Sequence, residues 1–165
     1  MIYVAGAEPG NIEAIAALAE EMDRFYGATE VEPLSTRTRQ IADAIFSNPP
    51  AAYALLAWNG DQLVGFAAYS FLWPAVGLTR SLYLKELYVL QASREQGIGK
   101  LLMQNLVEIA AKHGCSRVEW TTDEQNRGAQ GFYESLGAPR NSSKLFYRLE
   151  GALLRTAEPS SRQSS

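Results

Sequence analysis

The segment Arg94-Glu95-Gln96-Gly97-Ile98-Gly99-Lys100-Leu101-Leu102 constrains this chain more than any other. It joins two apolar stretches of different period. Upstream, Ser81 to Leu90 reads as a strand. Downstream, Ile98, Leu101, Leu102, Leu106 and Ile109 recur at helical spacing, which predicts a helix over 97–113 closed by Gly114. Two glycines at alternate positions let the backbone pass close to a ligand with no Cβ in the way. The helix then begins with unpaired amide N–H groups and the positive end of its dipole. Such a bend binds phosphate or pyrophosphate oxygens. A tight strand-to-helix turn with no ligand is the plain alternative. A Walker loop is disfavoured, because Gly99-Lys100 is followed by Leu101 rather than Ser or Thr. A dinucleotide fingerprint would need a third glycine where Leu102 stands.

The rest of the chain supplies a sheet around that unit. Residues 2–6 predict a strand. Asn11 is placed to cap a helix over 11–26, with Ile12, Ile15, Leu18 and Met22 on one face. Ser35 or Thr36 caps a second helix, stopped by Asn48-Pro49-Pro50. Tyr53 to Trp58 and Leu63 to Phe71 flank Asn59-Gly60, a hairpin signal. Arg117 to Thr121 reads as a buried strand. Asn126 begins a helix whose apolar face holds Ala129, Phe132, Tyr133 and Leu136. Lys144 to Leu149 reads as a last strand. The order predicts an α/β fold with a mixed sheet.

Composition narrows the function. The 165 residues suit one domain, predicted over 1–151, with a Ser-, Arg- and Pro-rich tail at 152–165 expected to be disordered. A net charge of -3 argues against a nucleic-acid binder. One cysteine, Cys115, permits no intrachain disulfide. With one histidine as well, a Cys/His metal site is not expected. The apolar start Met1–Val4 soon reaches Glu8, so neither a signal peptide nor an anchor is expected. No apolar run is long enough for a membrane span, and the cytoplasm is the expected location.

Arg94-x-x-Gly97-x-Gly99 is similar to the (Gln/Arg)-x-x-Gly-x-(Gly/Ala) motif of the GNAT superfamily of N-acetyltransferases. Tyr83-Leu84-Lys85-Glu86-Leu87-Tyr88-Val89 resembles the strand that precedes it there. Asn126-x-x-Ala129-x-x-x-Tyr133-x-x-x-Gly137-Ala138 resembles the family's Asn…Tyr…Gly-Ala segment. Within the superfamily the chain resembles diamine, spermidine/spermine and thialysine N-acetyltransferases. Leu63-Val64-Gly65-Phe66 through Tyr69, Gly114-Cys115-Ser116 and Phe146 to Gly151 contribute to that likeness.

The resemblance implies a GNAT fold, with a twisted mixed sheet of about six to seven strands flanked by about four helices. The parallel strands at 82–90 and 116–121 should splay as a V. It implies acetyl-CoA as co-substrate. The pyrophosphate would lie on the amides of Arg94, Glu95, Gln96, Gly97, Ile98, Gly99 and Lys100. The pantetheine arm would follow the backbone of Leu87, Tyr88 and Val89, with the Leu87 amide polarising the thioester carbonyl. Asn126 and Ala129 would contact the cofactor, and Tyr133 would be the general acid near the sulfur. On periodicity alone, Tyr133 reads as a core tyrosine and Asn126 as a helix cap.

Glu86 is the leading candidate for the base, through water, provided burial raises its pKa. A surface carboxylate is the alternative reading. Tyr26, Trp73 and Trp58 either line the acceptor pocket, since family members place acceptor contacts in the first two helices and the loop near Trp73, or simply pack, which is the better reading for Trp58. Two departures bear on the acceptor and the cofactor. Lys85-Glu86 stands where polyamine acetyltransferases carry two adjacent acids, which favours a shorter amine or an amino acid with a side-chain amine. Glu95 replaces the usual glycine after Arg94. The resemblance further implies direct transfer to a small-molecule amine in a ternary complex, and a homodimer to which C-terminal strands contribute. Protein or peptide N-acetylation, or a non-catalytic acetyl-CoA-binding module, are the rival readings.

Overall fold

The computed structural model describes residues 1–141 and 143–155. They fall into two compact units, Met1–Glu124 and the residues from Gln125 onward.

The first unit runs β1 (Ile2–Gly6), α1 (Ile12–Phe25), α2 (Leu34–Ile45), β2 (Tyr53–Asn59), β3 (Gln62–Leu72), β4 (Arg80–Val89), α3 (Ile98–Lys112) and β5 (Cys115–Trp120). The sheet order is β1-β2-β3-β4-β5. All neighbours are antiparallel except β4 and β5. Their parallel pairing follows from the α3 crossover between them. This is the mixed α/β sheet that the pattern predicts.

Apolar periodicity explains the core. Ile15 and Leu18 of α1 pack on Ala54 and Leu56 of β2, Leu63 and Phe66 of β3, and Tyr88 of β4. Leu102 and Leu106 of α3 are fully buried. Removing such side chains from water contributes roughly 1.5–3 kcal/mol each. Gly65 sets how closely α3 starts against the sheet. A Cβ there would lie 3.1 Å from the Tyr88 carbonyl oxygen and 3.3 Å from Ile98 Cγ2. The bare backbone at 65 thus fixes where the glycine-rich bend stands. Arg37 of α2 is buried and ties α2 to α1, pairing with Glu20 at 3.0 Å and donating to the Ala16 carbonyl.

One irregularity positions the site. β3 pairs Ala68 with Glu86 and then Tyr69 with Leu84, so Lys85 is an extra residue, a β-bulge in β4. The pairing of β5 with β4 ends at Leu84↔Trp120. β5 itself ends at Trp120, level with the bulge, so Lys85 to Val89 continue beyond the last β5 pair, where the resemblance places the V-shaped splay.

Several details differ from expectation. The second helix starts at Leu34, with Pro33 at its N-cap, so Ser35 and Thr36 lie inside the first turn. The fixed φ of proline, here -54°, prepares that start. The Asn11 side chain accepts from the Glu8 amide at 2.8 Å and so closes the preceding turn, rather than capping α1. The hairpin pairs Asn59 with Gln62, which makes Gly60 and Asp61 its two loop residues. Among the described residues the sheet has five strands, fewer than expected.

In the second unit, α4 spans Arg127–Ser135 and α5 is one turn, Ala152–Arg155. Residues 144–149 form no strand among the described residues; Leu145, Phe146, Tyr147 and Leu149 are exposed. An extended segment becomes a strand only with a hydrogen-bonding edge, and this unit holds no other strand among its described residues. Beyond Arg155, the tail expected to be disordered lies outside the described residues. No described helix is long and apolar enough to cross a membrane.

Candidate active site

β4 ends at Val89 and leads through a short turn at Gln91–Ser93 into the bend. Gly97 adopts a left-handed conformation, φ +78°, and caps α3 with no side chain in the way. The Leu101 amide is bonded to the Gly97 carbonyl at 3.0 Å. The amides of Ile98, Gly99 and Lys100 therefore precede the first bonded helical donor, Leu101, and face outward from the helix start. Three N–H groups and a positive helix end fit a diphosphate.

Glu95 also has positive φ, +63°. The departure from glycine at this position thus places a β-carbon in left-handed backbone, at a cost of roughly 1–2 kcal/mol. Its side chain is exposed. Arg94 turns back onto β4: its Nε donates to the Val89 carbonyl at 3.0 Å. Its guanidinium carbon lies 4.3 Å from the centre of the Phe25 ring and 5.4 Å from that of Tyr88.

Glu86 lies two residues before Tyr88, just past the bulge, so both side chains meet the face that α1 covers. Burial pushes the Glu86 carboxyl above its ordinary value. The Lys85 ammonium pulls it down, Asp23 of α1 pushes it up, and a hydrogen bond from the Leu87 amide pulls it down. Tyr26, just past the end of α1, has its phenol raised first by burial and then by the Glu86 charge, against the pull of Arg94. The Tyr88 hydroxyl donates to Glu21 at 3.0 Å, and its phenol is raised mainly by burial. Lys85 is exposed on the bulge.

Glu86, Leu87, Tyr88 and Val89 at the end of β4 and the bend from Arg94 to Lys100 all belong to the first unit. The Tyr88 side chain belongs to the core, so only its backbone is open to a ligand role. Asn126, Ala129 and Tyr133 lie together on α4 of the second unit. The Asn126 side chain caps α4 by accepting from the Ala129 amide at 3.1 Å. Tyr133 follows Ala129 by one helical turn and packs against Phe132, ring centres 5.2 Å apart. Sequence reasoning missed Phe25 and Asp23. Both sit on an ordinary amphipathic helix, and nothing local marks their approach to Arg94 and Glu86.

A family model described as "Acetyltransferase (GNAT) family" matches residues 15–138. The chain is 31% identical over 100 residues to the thialysine N-epsilon-acetyltransferase of Mus musculus, a match covering 59% of this chain and 58% of that protein. It is 28% identical over 154 residues, 91% of each chain, to a D-amino-acid N-acetyltransferase of Saccharomyces cerevisiae. Among solved structures, an integron cassette protein from the mobile metagenome of V. cholerae superposes with a TM-score of 0.87 at 29% identity, covering 94% of this chain and 96% of that one. With the family match spanning strand, bend and α4 together, this chain belongs to the GNAT family of acetyltransferases, enzymes that use acetyl-CoA.

Proposed function

We propose that this enzyme acetylates the primary amine of a small molecule (a diamine, a polyamine or, best, an amino acid with a side-chain amine) by direct transfer in a ternary complex. The observation that carries the proposal is Glu86: a carboxylate with a raised pKa, held at the point where β4 leaves β5, one strand-end away from an anion-binding bend.

Acetyl-CoA supplies the acetyl group as an activated thioester. The amides of Ile98, Gly99 and Lys100 hold the diphosphate, with Arg94, Glu95, Gln96 and Gly97 shaping the approach. The backbone of Leu87, Tyr88 and Val89 aligns the pantetheine arm, and the Leu87 amide, which donates to Glu86 in the free protein, turns to the thioester carbonyl. Asn126 and Ala129 contact the same co-substrate from α4. Glu86, through a water, takes a proton from the acceptor ammonium. The neutral amine then forms the C–N bond as the C–S bond breaks, Tyr133 gives a proton to the departing thiolate, and the proton shed by the new amide nitrogen passes through water to the Tyr133 phenolate.

The charge pattern supports an amino acid over a polycation. Lys85 on the bulge presents one cation, while Glu86 and Asp23 present two anions. A substrate with both an ammonium and a carboxylate can satisfy both signs. One similar protein is named for thialysine and another for D-amino acids, which agrees with that class. The proposal includes a cytoplasmic homodimer. In it, the exposed apolar residues Leu145, Phe146, Tyr147 and Leu149 would find the strand partner they lack within the described chain.

An acceptor panel tests this reading. With acetyl-CoA fixed, initial rates are measured for lysine-like amino acids, ornithine, putrescine, spermidine and a lysine-containing peptide. The expected order places side-chain amines of amino acids first, about tenfold in kcat/KM above spermidine. Turnover confined to the peptide would instead favour a protein acetyltransferase.

A further inference from the structure

We propose that Phe25 is a positioning residue for acetyl transfer: stacked beneath Arg94, it holds both the diphosphate-binding bend and the end of α1 that covers Glu86. The proposal rests on the transferase reading given above.

The contacts form a continuous chain. Arg94 is the first residue of the motif, and its Nε is committed to the Val89 carbonyl. The guanidinium carbon lies over Phe25, 4.3 Å from the ring centre. Phe25 meets Tyr26 edge-on at 5.3 Å and Tyr88 at 6.0 Å. Tyr26 meets Tyr88 at 6.4 Å. Tyr88 is in turn fixed to α1 by its hydrogen bond to Glu21. One cationic side chain thus joins the end of β4, the start of the bend and the last turn of α1.

Packing alone does not account for Phe25. It is 43% exposed and stands outside the main apolar cluster, which draws on Ile15 and Leu18 from the same helix. A leucine would cover a similar area. What a leucine lacks is a negative ring face for the guanidinium. The Arg94 side chain is committed to the Val89 carbonyl and the Phe25 ring, so its contribution to cofactor binding runs through the backbone it fixes. The same stack sets Tyr26, whose phenol senses Glu86. One contact therefore bears on both ends of the reaction surface.

The test compares wild-type protein with Phe25→Leu, Phe25→Trp, Arg94→Gln and the double variant Phe25→Leu/Arg94→Gln. Acetyl-CoA affinity is read by calorimetry, kcat by its pH profile with the best acceptor, and folding by thermal melts. Phe25→Leu is expected to weaken acetyl-CoA binding about fivefold, the range of a partly exposed cation–π contact. It is also expected to move the acidic limb of kcat to lower pH. That limb reports Glu86 among Lys85, Asp23, Tyr26 and the Leu87 amide, and a looser α1 end admits water to it. Phe25→Trp should restore both. In the Arg94→Gln background, Phe25→Leu should add no further loss of affinity.

Unchanged affinity in Phe25→Leu, failure of Phe25→Trp to restore it, or simple addition of the two losses would overturn this proposal alone. Wild-type protein that binds no acetyl-CoA would overturn the transferase reading and this proposal with it.

Discussion

In the Glu86→Gln variant, kcat is expected to fall about 10²- to 10³-fold at neutral pH, with the KM for acetyl-CoA within about twofold of wild type. Glutamine keeps the size and hydrogen-bonding shape of the side chain but cannot accept a proton. The diphosphate-binding amides and the strand backbone are untouched, so binding should survive while chemistry does not. The pH profile gives the sharper readout. Burial, the leading influence, lifts the Glu86 carboxyl above 4.5. The wild-type kcat should therefore lose its base on acidification at a pH above the usual carboxylate range. In Glu86→Gln that limb should vanish.

Stability should move the other way. A carboxyl whose pKa is higher folded than unfolded makes folding most favourable below the unfolded value, and that contribution is lost as pH rises through the folded value. Removing the charge should accordingly raise the melting midpoint at neutral pH and change it little near pH 4, where both states are largely protonated. A variant less active yet more stable is the signature of a group held for function. Equal kcat in wild type and Glu86→Gln would remove Glu86 from the mechanism.

Tyr133→Phe is the second large effect. Loss of the hydroxyl is expected to cut kcat about 10²-fold, with acetyl-CoA affinity within about threefold. The ring remains, so its contact with Phe132 at 5.2 Å should persist along with the fold of α4. This separates the two readings of Tyr133 that the sequence leaves open. A proton donor loses kcat with an unchanged melt. A core tyrosine whose hydroxyl serves only structure loses melting temperature and keeps kcat per folded molecule.

Much of this site was legible because its signals are local. The bend carries its own evidence in the alternate glycines, the strand before it and the helical period after it. Glu95 in place of glycine flags a residue that does occupy left-handed backbone. Asn126 reads correctly as a helix cap because the capping geometry spans only three residues. Features that depend on distant pairing were not legible. The bulge at Lys85 arises from how β3 registers against β4, and no property of Lys85 announces it. The approach of Phe25 to Arg94 depends on α1 crossing the sheet at a particular height. The sequence at 144–149 is suited to a strand, yet a ladder needs an edge, and composition cannot say where that edge is. Pro33 outranked Ser35 and Thr36 as the start of α2 because a preset φ competes directly with side-chain capping.

Everything in the proposed reaction depends on the backbone from Arg94 to Lys100 receiving the diphosphate of acetyl-CoA. The most direct measurement of that contact is calorimetric titration of acetyl-CoA into wild-type protein and into Gly97→Val. Valine cannot easily adopt the φ of +78° found at Gly97, and distortion there would spoil all three amides at once. Saturable binding is expected at micromolar to sub-millimolar concentration in the wild type, weakened at least about tenfold in the variant while the fold persists. No heat from wild-type protein at millimolar acetyl-CoA, or identical titrations for the two proteins, would contradict it.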